Sequence, residues 1–354
     1  MKQSGEIRWG LLATGAIARA FAHGLRQSHT GTLVAVASRT QVKADAFAAA
    51  FDVPIAHGSY EALLADPHVQ AVYVSTPHPQ HAEWTIKAAQ AGKHVLVEKP
   101  VGVNLHDAAA MIAAAAANGV FLMEAYMYRC HPQTARLVGL LSEKAIGEVR
   151  VIQATFSFQA AFHAESRIWS NALAGGGILD VGGYTTSIAR LIAGAAQGKP
   201  FADPLAVTGV GNLHPQTGVD QWAVATLAFP GGIVATCATG VGVNQENVVR
   251  IFGSEGTIYL PNPYVATREG GCPGMIIVTR NGEPTREIVI PSDITSFAYE
   301  ADVCGRAILA GTQQAAAPAM SWDDTLGNLR TQDQWRAAIG LTYARERPEK
   351  VPTK

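Results

Sequence analysis

Cysteine is scarce in this chain, aromatic residues are few, and neither sign of charge prevails. Cys130, Cys237, Cys272 and Cys304 lie far apart and form no CxxC pair. That spacing rules out a disulfide framework or a zinc knuckle as the organising device, and buried, reduced thiols are expected. His131 beside Cys130 does not complete a ligand set, so no metal is expected. With 27 basic and 28 acidic residues the formal net charge is −1, which leaves no electrostatic footprint for nucleic acid or for an anionic membrane surface. Apolar stretches break well before the ~18 residues that a bilayer span requires. Residues 1–9 carry charges and run into a strand without the apolar core and small-residue cleavage site of a secretory signal, so a cytoplasmic location is expected.

The 354 residues, nearly half of them apolar, exceed the ~250 to 300 at which single cores stop growing, so two domains are expected. Between residues 7 and 123, short apolar runs at 7–13, 33–37, 71–75, 94–97 and 120–123 alternate with helical stretches at 16–27, 41–50, 81–91 and 105–118. Such alternation implies an α/β domain with a parallel, doubly wound sheet. Gly92 and Gly119 follow helices where a left-handed cap is wanted. Beyond about Arg129 the pattern changes to a helix at 132–142 and then strands at 149–158, 222–229, 233–239 and 248–252, with Pro230-Gly231-Gly232 as a hairpin turn. A run of strands predicts an α+β domain with an open, mostly antiparallel sheet. Helices at 297–310 and 323–339 are expected to pack back on the first domain. The resulting division is 1–128, 129–320 and a C-terminal helix and tail at 321–354.

The first strand runs into Gly10-Leu11-Leu12-Ala13-Thr14-Gly15-Ala16-Ile17-Ala18, part of a GxGxxG pattern in which Ala13 and Ala18 replace the outer glycines. Placed between a strand and a helix, residues Ala13, Thr14, Gly15, Ala16 and Ile17 are expected to bring backbone against a pyrophosphate. A simple tight turn is the alternative. The second strand ends in Ala37-Ser38-Arg39-Thr40, where an NAD site would carry an acid. Ser38 and Arg39, with Lys43 one turn later, suit a 2′-phosphate instead, so NADP(H) is preferred and NAD(H) is the second choice. The fourth and fifth strands lead into Thr76-Pro77-His78-Pro79-Gln80-His81 and Glu98-Lys99-Pro100. Both lie at carboxyl ends of parallel strands, where ligands bind. A lysine held there can bind a substrate oxygen beside a nicotinamide ring.

The partial glycine motif, the Thr76-Pro77 loop and above all Glu98-Lys99-Pro100 resemble the Gfo/Idh/MocA oxidoreductases. The similarity extends through Glu124-Ala125-Tyr126-Met127-Tyr128-Arg129-Cys130-His131-Pro132 and Gly175-Gly176-Gly177-Ile178-Leu179-Asp180-Val181-Gly182-Gly183-Tyr184. It implies a Rossmann domain whose cofactor meets Thr76, Pro77, His81, Glu98, Lys99 and Arg167. It also implies a catalytic set of Lys99, Asp180 and Tyr184, with Lys99 on the reacting oxygen and Tyr184 as general acid or base. Tyr184 places the chain in the tyrosine branch of that family. Independently, Asp180 and Tyr184 at i and i+4 share a face if the triple glycine leads into a helix. Tyr126, Arg129 and Trp169 join Lys99, Asp180 and Tyr184 as expected substrate contacts, with the charge of Lys99 drawing the Tyr184 phenol toward neutrality.

These residues point to hydride exchange between nicotinamide and a small carbohydrate-like substrate: an aldose, keto-sugar, polyol or dihydrodiol. A catalytically silent NADP(H) sensor is the rival from another class, and the resemblance implies a homodimer or homotetramer formed through the second sheet. No GxSxG elbow is present, and Gly253-Ser254-Glu255-Gly256 reads as a turn, so a serine hydrolase is not expected.

Overall fold

The computed structural model describes residues 6–268 and 273–346. Cys272, residues 1–5 and the tail beyond residue 346 lie outside the described residues.

The first domain runs β1 (Ile7–Leu12), α1 (Ala16–Leu25), β2 (Gly31–Ala37), α2 (Gln41–Phe51), β3 (Ile55–His57), α3 (Tyr60–Ala65), β4 (Ala71–Val74), α4 (His81–Gln90), β5 (His94–Glu98), α5 (Leu105–Asn118) and β6 (Leu122–Ala125). The strands are parallel in the order β3-β2-β1-β4-β5-β6, the doubly wound arrangement that opens a crevice where the order reverses between β1 and β4. β4 and β6 are buried along their whole length, as helices on both faces require. Local signals set the helices: Asn104 caps α5 by accepting from the Asp107 amide, and Gly119 ends it with a left-handed φ of 66°. Phe21 stacks on Tyr73 at 4.0 Å between centroids, and burying rings of this size contributes about 1.5–3 kcal/mol each.

The second domain continues with α6 (Met127–Cys130), α7 (Pro132–Ser142), β7 (Val149–Ser157), α8 (Gly183–Ala195), β8 (Ala206–Leu213), β9 (Asp220–Ala228), β10 (Val234–Gly240), β11 (Val248–Gly253), β12 (Gly256–Pro261), β13 (Gly274–Arg280), β14 (Arg286–Ile290), α9 (Ser296–Leu309) and α10 (Trp322–Ala338). Its sheet has the order β14-β13-β12-β11-β7-β10-β9-β8 and is antiparallel apart from the β7·β10 pair. β8, β12, β13 and β14 were not among the expected strands, nor was the short β3. In β8, Gly209 and Gly211 weaken any strand pattern, and both are there because Trp335 of α10 and Ile339, just past its end, press on them: an added Cβ would lie 2.8 Å from Trp335 and 3.0 Å from Ile339.

One sheet face packs on α7, α8 and α10, and α8 is buried all round. The two C-terminal helices reach the first domain. Ser28 and Thr30 donate to Asp302 of α9, and the Trp322 indole donates to the Leu122 carbonyl beside the β6 edge. Cys237 and Cys304 are buried free thiols, while Cys130 is only partly covered. Among the described residues, no helix is long and apolar enough to cross a membrane.

Candidate active site

At the carboxyl edge of the first sheet, β1 turns at Ala13, whose φ of 86° occupies the left-handed region that the replaced glycine would adopt freely. Gly15 caps α1 without a side-chain hydrogen bond, and no acid stands in the first turn. An added Cβ at Gly15 would meet no atom within 4 Å. Bare amides at the positive end of a helix, beside open space, form a seat for an anion. Thr14 and Ser38 bring their hydroxyls to 3.4 Å, tying the first two strand-end loops together. Ala13, Thr14, Gly15, Ala16, Ile17, Ser38, Arg39 and Lys43 all line one cavity of about 710 Å³.

The same cavity continues past Thr76, Pro77, His81, Glu98 and Lys99. The Thr76 hydroxyl is buried there without a protein partner. His81 is fully buried, its ring nitrogens 2.8 Å and 2.7 Å from the carbonyl oxygens of Pro100 and Thr76. A neutral ring donates to one of them, and the contact pins the β4 and β5 loops together. Glu98 accepts from the Tyr73 hydroxyl and from the Lys99 amide. It is a buried support beneath Lys99 rather than half of a surface ion pair, and burial pushes its carboxyl above the usual range. A dinucleotide fits these residues: an uncapped helix start, a glycine facing open space, and an orphaned hydroxyl farther along the cleft.

The far end of the cavity is made by both domains. Residues 175–177 enter a wide, π-helical turn at Ile178–Gly182 that continues into α8, a deviation that recurs at functional sites. Asp180 and Tyr184 both face the cavity, as does Arg167 from the loop after β7. The Lys99 ammonium donates to the Asp180 carbonyl at 2.6 Å and lies 3.5 Å from its carboxylate, which Arg167 meets at 3.0 Å. Burial alone would raise the Asp180 carboxyl, but Lys99 and Arg167 hold it well below the usual carboxylate range, so it stays ionised. Tyr184 corrects one expectation. Lys99 stands 5.2 Å from the centre of its ring, while burial, followed by the nearby Glu98 carboxyl, pushes the phenol well above its ordinary value. Tyr184 is therefore a neutral phenol.

Three expected substrate contacts do not reach this cavity. Tyr126 lies behind Tyr184, edge to face at 4.9 Å, with its hydroxyl toward Asn328. Arg129 is buried in a network, donating to Ser187 at 2.8 Å and paired with Asp324 at 2.6 Å, because a guanidinium out of water must be fully partnered. Trp169 is buried, its indole donating to the Ala161 carbonyl and its ring packed with Phe162 and His214.

Other residues enter the site unannounced. His78 reaches the cavity wall, and burial pushes its imidazole down to about 3, so the ring is neutral. Tyr60 lines the cavity together with Arg39, while Phe156, edge to face with Tyr184 at 5.1 Å, Phe158 and Arg268 line it as well. The alternation of Phe156 and Phe158 on one strand face was the available signal for those two. Nothing local marks Arg268.

Comparison with known proteins places these observations. The model described as "Oxidoreductase family, NAD-binding Rossmann fold" matches residues 7–126, and that for the GFO/IDH/MocA C-terminal domain matches residues 134–259. The chain belongs to the Gfo/Idh/MocA oxidoreductase family. Among its curated family relatives are trans-1,2-dihydrobenzene-1,2-diol dehydrogenases from Danio rerio, 34% identical, and Mus musculus, 31% identical, each alignment covering 96% of this chain and 99% of the relative. Among solved structures, a 3-ketoreductase from Actinomadura kijaniata in complex with NADP and TDP-benzene superposes with a TM-score of 0.82 at 27% identity, covering 95% of this chain and 98% of that one. An aldose-aldose oxidoreductase from Caulobacter crescentus complexed with glycerol gives 0.82 at 27% identity, covering 94% and 97%. The family membership agrees with the resemblance first carried by Glu98-Lys99-Pro100 and the triple glycine.

Proposed function

We propose that this oxidoreductase uses NADP(H) to interconvert a CH–OH and a C=O group on a small hydroxylated ring: a sugar, keto-sugar, polyol or dihydrodiol. The observation that carries the reading is the meeting of Lys99, from the nucleotide domain, with Asp180 and Tyr184, from the second domain, at the end of the cleft that starts at Gly15. The preference for NADP(H) rests on Ser38, Arg39 and Lys43 lining the cleft at the end of β2, with no acid among them. The NADP held by the ketoreductase relative supports it.

The bound nicotinamide supplies or accepts the hydride. In the reducing direction Lys99 donates to the substrate carbonyl oxygen and stabilises the negative charge that develops there. The neutral Tyr184 phenol then gives its proton to that oxygen, and the phenolate left behind faces the Lys99 ammonium. Asp180 fixes Lys99 through its carbonyl and carboxylate. In the oxidising direction the same proton returns to Tyr184. Phe156, Phe158, Met127 and Val265 give the cavity an apolar wall, and Arg167 and Arg268 give it a polar rim. A ring with one apolar face and several hydroxyls matches that lining, as sugars and dihydrodiols both do. A silent sensor has no need of a lysine, a carboxylate and a phenol converging on one point.

The self-association expected from the family resemblance also belongs to this proposal. The sheet face turned away from α8 exposes Trp222 and Val224 on β9, Val210 on β8 and Val234 on β10, an apolar strip of the kind that second copies cover.

Absorbance at the reduced-nicotinamide band tests the function, with NADP+ or NAD+ against sugars, polyols and dihydrodiols, and NADPH against keto-sugars. Turnover with an NADP preference is expected. Binding of NADP(H) with no turnover across a broad panel would transfer the weight to the sensor.

A further inference from the structure

Asp220 opens β9 outside the active cavity, yet it touches the segment that presents the catalytic pair. Its side chain is fully buried, and its Oδ2 accepts from the Ile178 amide at 2.7 Å, the first residue of the wide turn carrying Asp180. The triple glycine is shaped around this carboxylate. Gly176 has a φ of 103°, and an added Cβ there would fall 2.1 Å from Asp220 Oδ1; at Gly177 it would fall 3.1 Å from Oδ2. Two neighbours complete the clamp: the Tyr343 hydroxyl donates to the Gly175 carbonyl at 2.8 Å, and the Thr239 hydroxyl to the Gly177 carbonyl at 3.1 Å. The glycine run is thus fastened at Gly175, Gly177 and Ile178, and of the three partners Asp220 is the one that ionises near neutrality.

We propose that Asp220 is a positioning residue for the chemistry: seated in the notch of Gly176 and Gly177, it anchors the turn so that Asp180 meets Lys99. This rests on the reading of Lys99, Asp180 and Tyr184 as the catalytic group. A carboxylate at the start of a helical turn satisfies amides that have no partner within it, and placement errors of about 1 Å at a reacting centre cost up to ~10²-fold in rate.

The anchor is held against a folding cost. Burial pushes the Asp220 carboxyl up to about 7, opposed by the amides of Ile178, Asp220 itself and Gly177 and by the Arg336 guanidinium. The Tyr343 phenol also faces it. A carboxyl with a raised folded-state pKa favours folding fully only below its unfolded pKa, and that contribution is lost as pH rises through about 7. A positioning role therefore predicts that activity and stability separate, which a purely structural role does not.

The test compares wild type with Asp220→Asn and Asp220→Ala by NADPH titration, steady-state kinetics, thermal midpoint from about pH 5 to pH 8, and amide exchange across residues 176–184. For Asp220→Asn we expect unchanged NADPH affinity and a midpoint that gains on wild type as pH rises. Turnover should fall by ~10-fold or more, with faster exchange at Ile178. Full turnover, or activity lost only in step with stability, overturns the proposal. If wild type turns over no substrate, the catalytic reading fails separately, and unchanged exchange at Ile178 in Asp220→Asn would still remove the anchor.

Discussion

The two ends of the cleft are built in different ways. The nucleotide end draws on consecutive strand-loop-helix units, Ala13 to Ile17 and Ser38 to Lys43, and its cations Arg39 and Lys43 stand in solvent. The catalytic end joins Lys99 to Asp180 across 81 positions of sequence, and its ionised carboxylate is buried. An exposed guanidinium grips a phosphate through a few charge-assisted hydrogen bonds and tolerates local motion. A buried lysine-carboxylate contact has strength in low dielectric but needs every partner in place. Substitutions at the catalytic end should therefore damage rate without affinity, and those at the nucleotide end should do the reverse.

Lys99→Met and Tyr184→Phe give the sharpest form of that contrast: turnover should drop at least ~10²-fold while NADPH still binds as in wild type. Steady-state kinetics beside a fluorescence titration measures both, and full turnover in either variant would remove that residue from the chemistry. Arg39→Ala is the mirror case. Loss of a charge-assisted contact costs about 1.5–3 kcal/mol, so the Kd for NADP(H) should rise roughly 10- to 100-fold with little change for NAD(H). Equal weakening of both cofactors would break the 2′-phosphate argument.

A smaller effect should separate the two sheets. The first is covered on both faces, whereas the second leaves Trp222, Val224 and Val234 exposed. Val224→Lys should shift the mass in light scattering toward the monomer without altering the far-ultraviolet spectrum. A monomeric wild type would end the self-association proposal at once. The smallest effect lies at Ala13, where a left-handed φ strains a residue with a Cβ. Ala13→Gly should be neutral or stabilising by about 1 kcal/mol, less the added chain entropy of glycine, as read from a denaturant midpoint. Ala13→Val should destabilise and weaken NADPH binding.

How much of this was legible follows from how local each feature is. Helix α5 was readable to the residue, since its alanines, the Gly119 stop and the apolar spacing agree. Strand β3, three residues long, is too short for any period to show, and the six-residue α3, capped by Ser59 accepting from the Ala62 amide, was likewise not expected. Lys99 was marked by Pro100 and by its place after a strand. Asp180 and Tyr184 were expected from the family resemblance of the triple-glycine stretch, and the structure brings both to the cleft that holds Lys99. Arg129 misled because a sequence does not say whether an arginine faces a cleft or a buried acid such as Asp324. Tyr184 misled in a different way: its distance from Lys99 and its burial both belong to the packed state.

By itself, then, the sequence determined the parallel nucleotide domain, the glycine turn at Gly15 and the absent acid after β2, because each depends on residue type within consecutive strand-loop-helix units. The tertiary structure alone decided that Tyr126 and Arg129 serve as supports, that Tyr184 keeps its proton, and that Asp220 lies beneath the glycine run. Those outcomes depend on desolvation and on contacts between distant segments, which take their values only once the two domains are packed together.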